Sequence, residues 1–446
     1  MFTTLRNAWK VPELKKKILF TVFILMIFRL GSVVGVPYVN TEVLREYFSL
    51  NLSGTILGLY NAMTGSAFSQ ASVFALGIQP YINASIIIEL LAIAIPVLER
   101  WRKEEGEEGI KKINKLTRYA TVAIGLLMGF AYYIMMKNQV SAGFEIITKT
   151  GFLPALVIIM TFVAGASVVM WMGEQITEFG IGNGISMILF AGIISRLPQM
   201  IQSMITGIRN SFAFKNVTIE GGSIEGIQIL PWYMALLLVI AVLALVVFIV
   251  FIQDSERRIP VQYAKRVVGR KVYGGQNTHL PIKVNMSGVL PVIFAQSIAS
   301  LPATVCAFMG KTNGWWYKNV FDSTSVIYLV FYFILIIAFS YFYASVQYNP
   351  VEIANNMKKN GGFIPGFRPG KPTSDFIAKV ITKVTLFGAI FLAIVSMLPI
   401  LLGIIIKDNT LAIGGTSIII VVGVALETVN ALEAQMLMRH YQGFLD

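Results

Sequence analysis

Residues 74–98 read FALGIQPYINASIIIELLAIAIPVL, and they carry Pro80, Asn83, Ser85 and Glu89 among the apolar side chains. The stretch is long and greasy enough to cross a bilayer as a helix of about 20 residues or more. A lipid-facing anchor has no use for its polar groups. Isoleucines stand at 78, 82 and 86 with Asn83 beside them, and a spacing of four places them in one stripe along a helix face. The pattern predicts a wall with lipid behind it and water in front.

The rest of the chain has the same character. Of 446 residues 56% are hydrophobic and only 13% charged, with a mean hydropathy of +0.70. A soluble domain has too little interior for that much apolar side chain. Ten spans are predicted, over 18–36, 74–98, 119–136, 152–173, 182–205, 231–252, 286–309, 325–347, 378–404 and 412–437. They lack the strict alternation of barrel strands, so the class is an all-α polytopic membrane protein. The first segment follows Lys15, Lys16 and Lys17 and ends without an A-x-A-like site, and is read as a retained span rather than a cleaved signal.

An even number of spans puts both termini on one side, and charge decides which. With the N-terminus inside, and with Arg196 of the fifth span counted outside and Lys379 and Lys383 at the start of the ninth counted inside, 26 Lys and Arg fall on the inner side and 9 on the outer, leaving Arg29 within the first span. That asymmetry predicts cytoplasmic N- and C-termini. The single Cys306 excludes an intrachain disulfide, and with only His279 and His440 a Cys/His metal site is not expected.

Two inner loops are too long to be connectors. Residues 253–285, QDSERRIPVQYAKRVVGRKVYGGQNTHLPIKVN, alternate basic and apolar residues about Gly269 and a Gly274-Gly275 turn and predict a projecting hairpin. Residues 348–376 predict a short helix after Pro350 and then a Gly/Pro-dense cationic tip with Lys358, Lys359, Arg368 and Lys371. On the outer side, GTILGLYNAMTGSAFSQ at 54–70 is too short to span and is read as a re-entrant half-helix with glycines that would let it move.

Smaller motifs each admit a plain packing explanation. In GEQITEFGIGNGIS, 173–186, the glycines at 180, 182 and 184 allow positive φ and close approach while Asn183 can cap the next helix; the stretch is either a tight inter-helix turn or part of a site. Gly414-Gly415-Thr416-Ser417 fits close helix packing. Arg29, Glu89 and Glu427 lie within predicted spans, where a charge is costly unless paired, so each calls for a partner or a role in gating. Asn285 and Ser287 open the seventh span as Asn83 and Ser85 mark the second, and amides facing one another there would form a seam worth only about 1 kcal/mol per bond.

No enzyme signature is present. GFRPGKPTS has three residues between its glycines where a phosphate loop has four, and Pro372 stands where Ser or Thr would hold magnesium. Neither H-E-x-x-H nor G-x-S-x-G occurs, and no cofactor is expected.

Five motifs together are more specific. FALGIQPYINASIIIELL, GEQITEFGIGNGIS, YAKRVVGRKVYGGQNTHLPIKVNMSGVLPVIFA, NPVEIANNMKKNGGFIPGFRPG and GGTSIIIVVG, in this order and at these spacings, resemble the bacterial SecY family, the central subunit of the protein-conducting channel. The resemblance covers nearly the whole chain. It implies ten transmembrane helices in two pseudo-symmetric five-helix halves, 1–205 and 206–446, around a central pore, a division that a faint repeat of five spans by five also permits.

By motif match the pore ring falls on Ile78, Ile82, Ile185, Leu189, Ile293 and Ile420, a collar that seals by dewetting and makes no specific bond to a passing chain. The plug corresponds to the 54–70 segment with Gly58, Tyr60, Asn61 and Gly65. The lateral gate corresponds to spans two and seven, with Asn83, Ser85 and Glu89 opposite Asn285 and Ser287. The two inner loops correspond to docking surfaces, on which Arg257, Arg258, Arg270, Lys271 and Arg368 are the expected cations.

The resemblance further implies SecE-type and SecG-type small membrane subunits, the SecA motor ATPase, the ribosome, signal peptides and preproteins as partners, and the cytoplasmic (inner) membrane of a bacterium as the location. Energy would come from partners. Two positions depart from the family pattern: Leu189 stands where isoleucine is common, and Glu89 where an uncharged amide is common. The competing reading is a secondary transporter for a small solute, suggested by broken helices and a possible inverted repeat. Its weakness is that Glu89 and Glu427 are few and far apart. An intramembrane protease would need a nucleophile and base that the sequence does not offer.

Overall fold

A computed structural model describes residues 2–51, 56–140, 145–213, 223–224, 227–228, 232–263, 266–268, 271–273, 277–286, 288–309, 314–322, 325–406 and 409–442. Among these the chain is mostly helical, with seven short strands.

Helix α1 (Phe2–Lys10) precedes α2 (Pro12–Gly31). Val11 is extended and Pro12 opens the second helix, because proline is tolerated in a first turn and disfavours helix at the residue before it. Ala8 and Leu14 pack with Ile181 and Leu432, so the N-terminal arm lies against the end of the last helix. Helix α2 stops five residues short of the predicted end. The backbone beyond it runs as a bridge between Gly35 and Ser72.

Helices α3 (Thr41–Asn51) and α4 (Ile56–Met63) follow. The predicted half-helix is thus only eight residues long, and Gly54 lies outside the described residues. The 74–98 stretch is not one rod. Its helix α5 (Gln79–Ala94) begins only after turns at 74–78, and the chain bends by 104° into α6 (Pro96–Lys103). Ile95 is extended and Pro96 starts the new helix; proline has no N–H with which to continue the old one.

Helices α7 (Gly106–Val140), α8 (Phe152–Phe179), α9 (Gly184–Ile194) and α10 (Leu197–Ala213) complete the first part of the chain. The third span extends well past its predicted ends, while the fifth is interrupted at Ser195 and Arg196. A two-stranded turn, β1 (Ser223–Ile224) and β2 (Ile227–Gln228), leads into α11 (Trp232–Gln253). Next come β3 (Glu256–Tyr263), β4 (Arg266–Val268), β5 (Lys271–Tyr273) and β6 (Asn277–Lys283).

The remainder is α12 (Leu290–Phe308), a π-turn at Tyr317–Phe321, α13 (Val326–Gln347), α14 (Pro350–Lys359), β7 (Gly362–Phe363), α15 (Lys371–Ile406) and α16 (Asn409–Gln442). Each of the ten predicted spans contains a helix. Among the described residues five helices cross a membrane by length and composition, six if the bent α5–α6 pair counts as one span, and three shorter apolar helices lie at 184–199, 239–253 and 290–306.

The predicted hairpin is present as two antiparallel strand pairs. Strand β3 pairs β6 in antiparallel register from Glu256↔Lys283 to Gln262↔Asn277, and β4 pairs β5 with Val268↔Lys271 innermost. That pair brackets Gly269, and Gly274-Gly275 falls between β5 and β6, the two places about which the sequence pattern is centred. Residues 269–270 and 274–276 lie outside the described residues. The second inner loop joins the first: Gln262 and Tyr263 of β3 pair with Phe363 and Gly362 of β7. Beneath the sheet Ile259, Val261, Ile282, Met357, Ile364 and Ile377 form a separate core, so the loops make one small packed unit on the ends of α14 and α15.

Candidate functional site

Inside the bundle one buried apolar cluster includes Ile78, Ile82, Leu189, Ile293 and Ile420, with half-buried Ile185 packed against it. These six side chains come from the turn before α5 and from α5, α9, α12 and α16, far apart in sequence. None of them faces outward. Ile188, which motif matching passed over, belongs with them: a Cβ on Gly173 would stand 3.4 Å from the tip of Ile78 and 3.5 Å from that of Ile188.

The GEQITEFGIGNGIS stretch sets this packing. The Asn183 side chain accepts hydrogen bonds from the N–H groups of Ile185 (3.0 Å) and Ser186 (3.5 Å), capping α9 as expected. Gly182 has φ +72°, and a Cβ on Gly184 would collide with the Gly173 carbonyl. Glycine at 184 therefore lets α9 lie on α8, which carries Ile185 and Leu189 inward.

Helix α4 rests on this cluster. Tyr60, Met63 and Thr64 share one small void with Ile78, Ile188 and Leu189, so the half-helix abuts the ring positions. Gly58, Tyr60 and Gly65 are buried and Asn61 is half-buried. The Tyr60 hydroxyl faces Gln79, Asn83, Ser300 and Thr304 without a bond of good geometry to any of them. The segment after α4 is pinned, with Ser69 N–H donating to Asn61 Oδ1 at 2.9 Å and Phe68 stacked on Tyr132 at 4.3 Å.

The seam between α5 and α12 differs from its expected form. The buried bond across it runs from Gln79 Nε2 to Ser297 Oγ at 3.3 Å. Asn83 is buried but its amide has no hydrogen-bond partner among the described residues, and the same holds for Asn285 Nδ2. Asn83 and Asn285 therefore do not pair. Asn285 lies instead beside α15, its Cα 3.8 Å from where a Cβ on Gly388 would stand. Ser85 is half-buried, and Ser287 lies outside the described residues.

The two intramembrane carboxylates are both engaged. The Tyr343 hydroxyl of α13 donates to Glu89 Oε2 of α5 at 2.7 Å, and the Tyr343 ring packs at a tilt against Phe294 of α12 with centroids 5.2 Å apart. Three helices thus meet at Glu89. Glu427 of α16 accepts from the Val289 N–H, and a Cβ on Gly288 would collide with its carboxylate. It caps the start of α12, where negative charge is favoured.

On the packed unit formed by the two loops Arg257 and Arg258 are exposed on β3, with Arg258 bonded to Glu256 at 2.6 Å. Arg368 is exposed on a fixed loop: its carbonyl accepts from Thr373 Oγ1 at 2.8 Å, and neighbouring Phe367 packs on Phe376 at 4.2 Å. The backbone of Lys271 lies in β5, and Arg270 lies outside the described residues.

These features define a class: an all-helical polytopic membrane protein whose centre is closed by apolar side chains under a short helix. Comparison with known proteins narrows it. The sequence model of the SecY family matches residues 72–429. The chain is 42% identical to the protein translocase subunit SecY of Bacillus licheniformis, over the full length of both. Two solved structures each match 97% of this chain over 97% of their own. One, 18% identical with a TM-score of 0.63, is described by the plug domain of the SecY protein, which stabilises the closed state of the translocation channel and maintains a membrane seal. The other, 15% identical with a TM-score of 0.59, is Sec61 in a canine ribosome–channel complex from the endoplasmic reticulum. The chain belongs to the SecY family. It is a bacterial membrane protein of the protein-conducting translocation channel, not an enzyme, and the small-solute transporter reading is set aside.

Proposed function

We propose that this chain forms the pore through which unfolded preproteins cross the cytoplasmic membrane, and that it releases transmembrane segments sideways between α5 and α12. The observation that carries this reading is the common void at which Tyr60, Met63 and Thr64 meet Ile78, Ile188 and Leu189. A short helix lodged on an apolar collar closes a pore without a specific bond to its cargo.

In this reading Ile78, Ile82, Ile185, Leu189, Ile293 and Ile420 are the ring, and α4 with Gly58, Tyr60, Asn61 and Gly65 is the plug. Asn83, Ser85, Glu89, Asn285 and Ser287 line the gate. The halves 1–205 and 206–446 hinge about the centre, and both termini are cytoplasmic, as the charge asymmetry supports. Arg257, Arg258, Arg270, Lys271 and Arg368 dock the ribosome and the SecA motor, while SecE-type and SecG-type subunits complete the assembly. Apolar burial drives a signal peptide from the gate into lipid.

The test is reconstitution of the complete complex in vesicles with the motor, ATP and a labelled secretory preprotein. Protease-protected preprotein is the expected result. Its absence, with the complex inserted and the motor active, would overturn the proposal.

A further inference from the structure

We propose that Arg29 is the latch that holds the plug shut, acting on the hinge at Gly65; this rests on the reading of α4 as the plug. Helix α4 ends in a Schellman turn, with Ser66 N–H bonded to the Asn61 carbonyl at 2.9 Å and Gly65 N–H to the Ala62 carbonyl at 3.3 Å. Gly65 and Ser66 both adopt left-handed backbone, φ +64° and +72°. Ser66 is a residue type that seldom does so. The carbonyl of Gly65 leaves this turn toward α2.

There it meets a cation. Arg29 Nη1 donates to the Gly65 carbonyl at 3.3 Å, and among the described residues Arg29 forms no ion pair with a carboxylate. An arginine inside a membrane helix is retained only where something uses it. Here it faces the C-terminal end of α4, the end at which the helix dipole favours positive charge. The opposite wall is α9: a Cβ on Gly192 would collide with the Met63 carbonyl, and one on Gly65 would crowd Ser195, Arg29 and the Gly192 carbonyl. The hinge sits in a notch that glycine at 65 and 192 makes just wide enough, and Arg29 closes it.

Arg29 thus touches no cargo. It biases the plug between seated and released positions, so its removal should raise ion leak through the idle channel with no signal peptide present.

The experiment measures that leak in vesicles carrying the complete complex, for Arg29→Gln, Arg29→Lys and a deletion of residues 57–63, alone and combined. Arg29→Gln is expected to raise the leak about tenfold, the population change that follows from losing one charge-assisted hydrogen bond. Arg29→Lys, which keeps the charge, should restore part of the seal, and Arg29→Gln should add nothing once residues 57–63 are gone. An unchanged leak in the otherwise intact Arg29→Gln channel overturns the latch, as does an equal rise with and without the plug. If the deletion alone leaves the leak unchanged, the plug reading falls and the latch falls with it. Gly192→Ala, which drives a methyl at the Met63 carbonyl, provides a second route to release and is expected to leak like Arg29→Gln.

Discussion

Ile82 and Ile293 are 2% exposed and belong to the same buried apolar cluster. Asparagine at either position would give water a foothold in a dewetted collar, so Ile82→Asn and Ile293→Asn should each increase single-channel conductance of the idle complex in planar bilayers. A conductance equal to that of the parent would remove the residue from the constriction. The Glu89–Tyr343 bond calls for a different measurement. Tyr343→Phe removes the donor and leaves the ring packed on Phe294, which should cost the closed seam about 1 kcal/mol, roughly a fivefold shift toward opening. Export of a preprotein with a weakened signal sequence should rise accordingly, and Glu89→Gln, which can still accept from the tyrosine, should shift it less. Neither partner was legible from spacing, because 254 residues separate them. The charge itself was.

Elements place these residues, and glycines place the elements. A methyl on Gly184 would meet the Gly173 carbonyl, so Gly184→Ala must push α9 off α8. Overpacking of this kind typically costs about 1–3 kcal/mol, and a lowered melting temperature of the detergent-solubilised complex is expected. The same glycines were visible in GEQITEFGIGNGIS, as was the cap by Asn183, because turn and cap chemistry is local. The break of the 74–98 stretch was written in Pro96, yet a proline within an apolar run announces either a kink or a first turn. Only the packing of α6 along α7 settled the 104° bend. Arg368 is held out on a loop fixed by Phe367 and Thr373. Arg368→Glu should impair motor-driven secretion while the complex remains inserted, and secretion at the parental rate would deny it a docking role.

Across the assembled protein the two inner loops become one unit, since β7 of the second completes the sheet of the first. That one unit carries exposed cations from both loops, Arg257 and Arg258 from the first and Arg368 from the second. Ribosomal RNA is a polyanion, and binding that releases counterions weakens steeply with salt. Affinity of the complex for ribosomes should therefore fall as the salt concentration rises, with a shallower slope when Arg257 and Arg258 are both replaced by glutamine. Identical slopes would place the RNA contact elsewhere.

The all-helical class, the ten segments and the asymmetry of charge were present in the amino-acid order, because the length of an apolar run and the position of a lysine are properties of short stretches. Motifs that resemble a family also pointed to Ile78, Ile82, Ile185, Leu189, Ile293 and Ile420, which all lie in or against one buried apolar cluster. The contacts that close the site were not present in that order. Asn83 and Asn285 looked like partners by composition, yet the seam is joined by Gln79 and Ser297, 218 residues apart, and Asn285 turns to α15. Arg29 demanded a partner without naming Gly65. Which side chains meet across two helices depends on axial register and rotation, and those are fixed by all the packing between them at once, which no local period records.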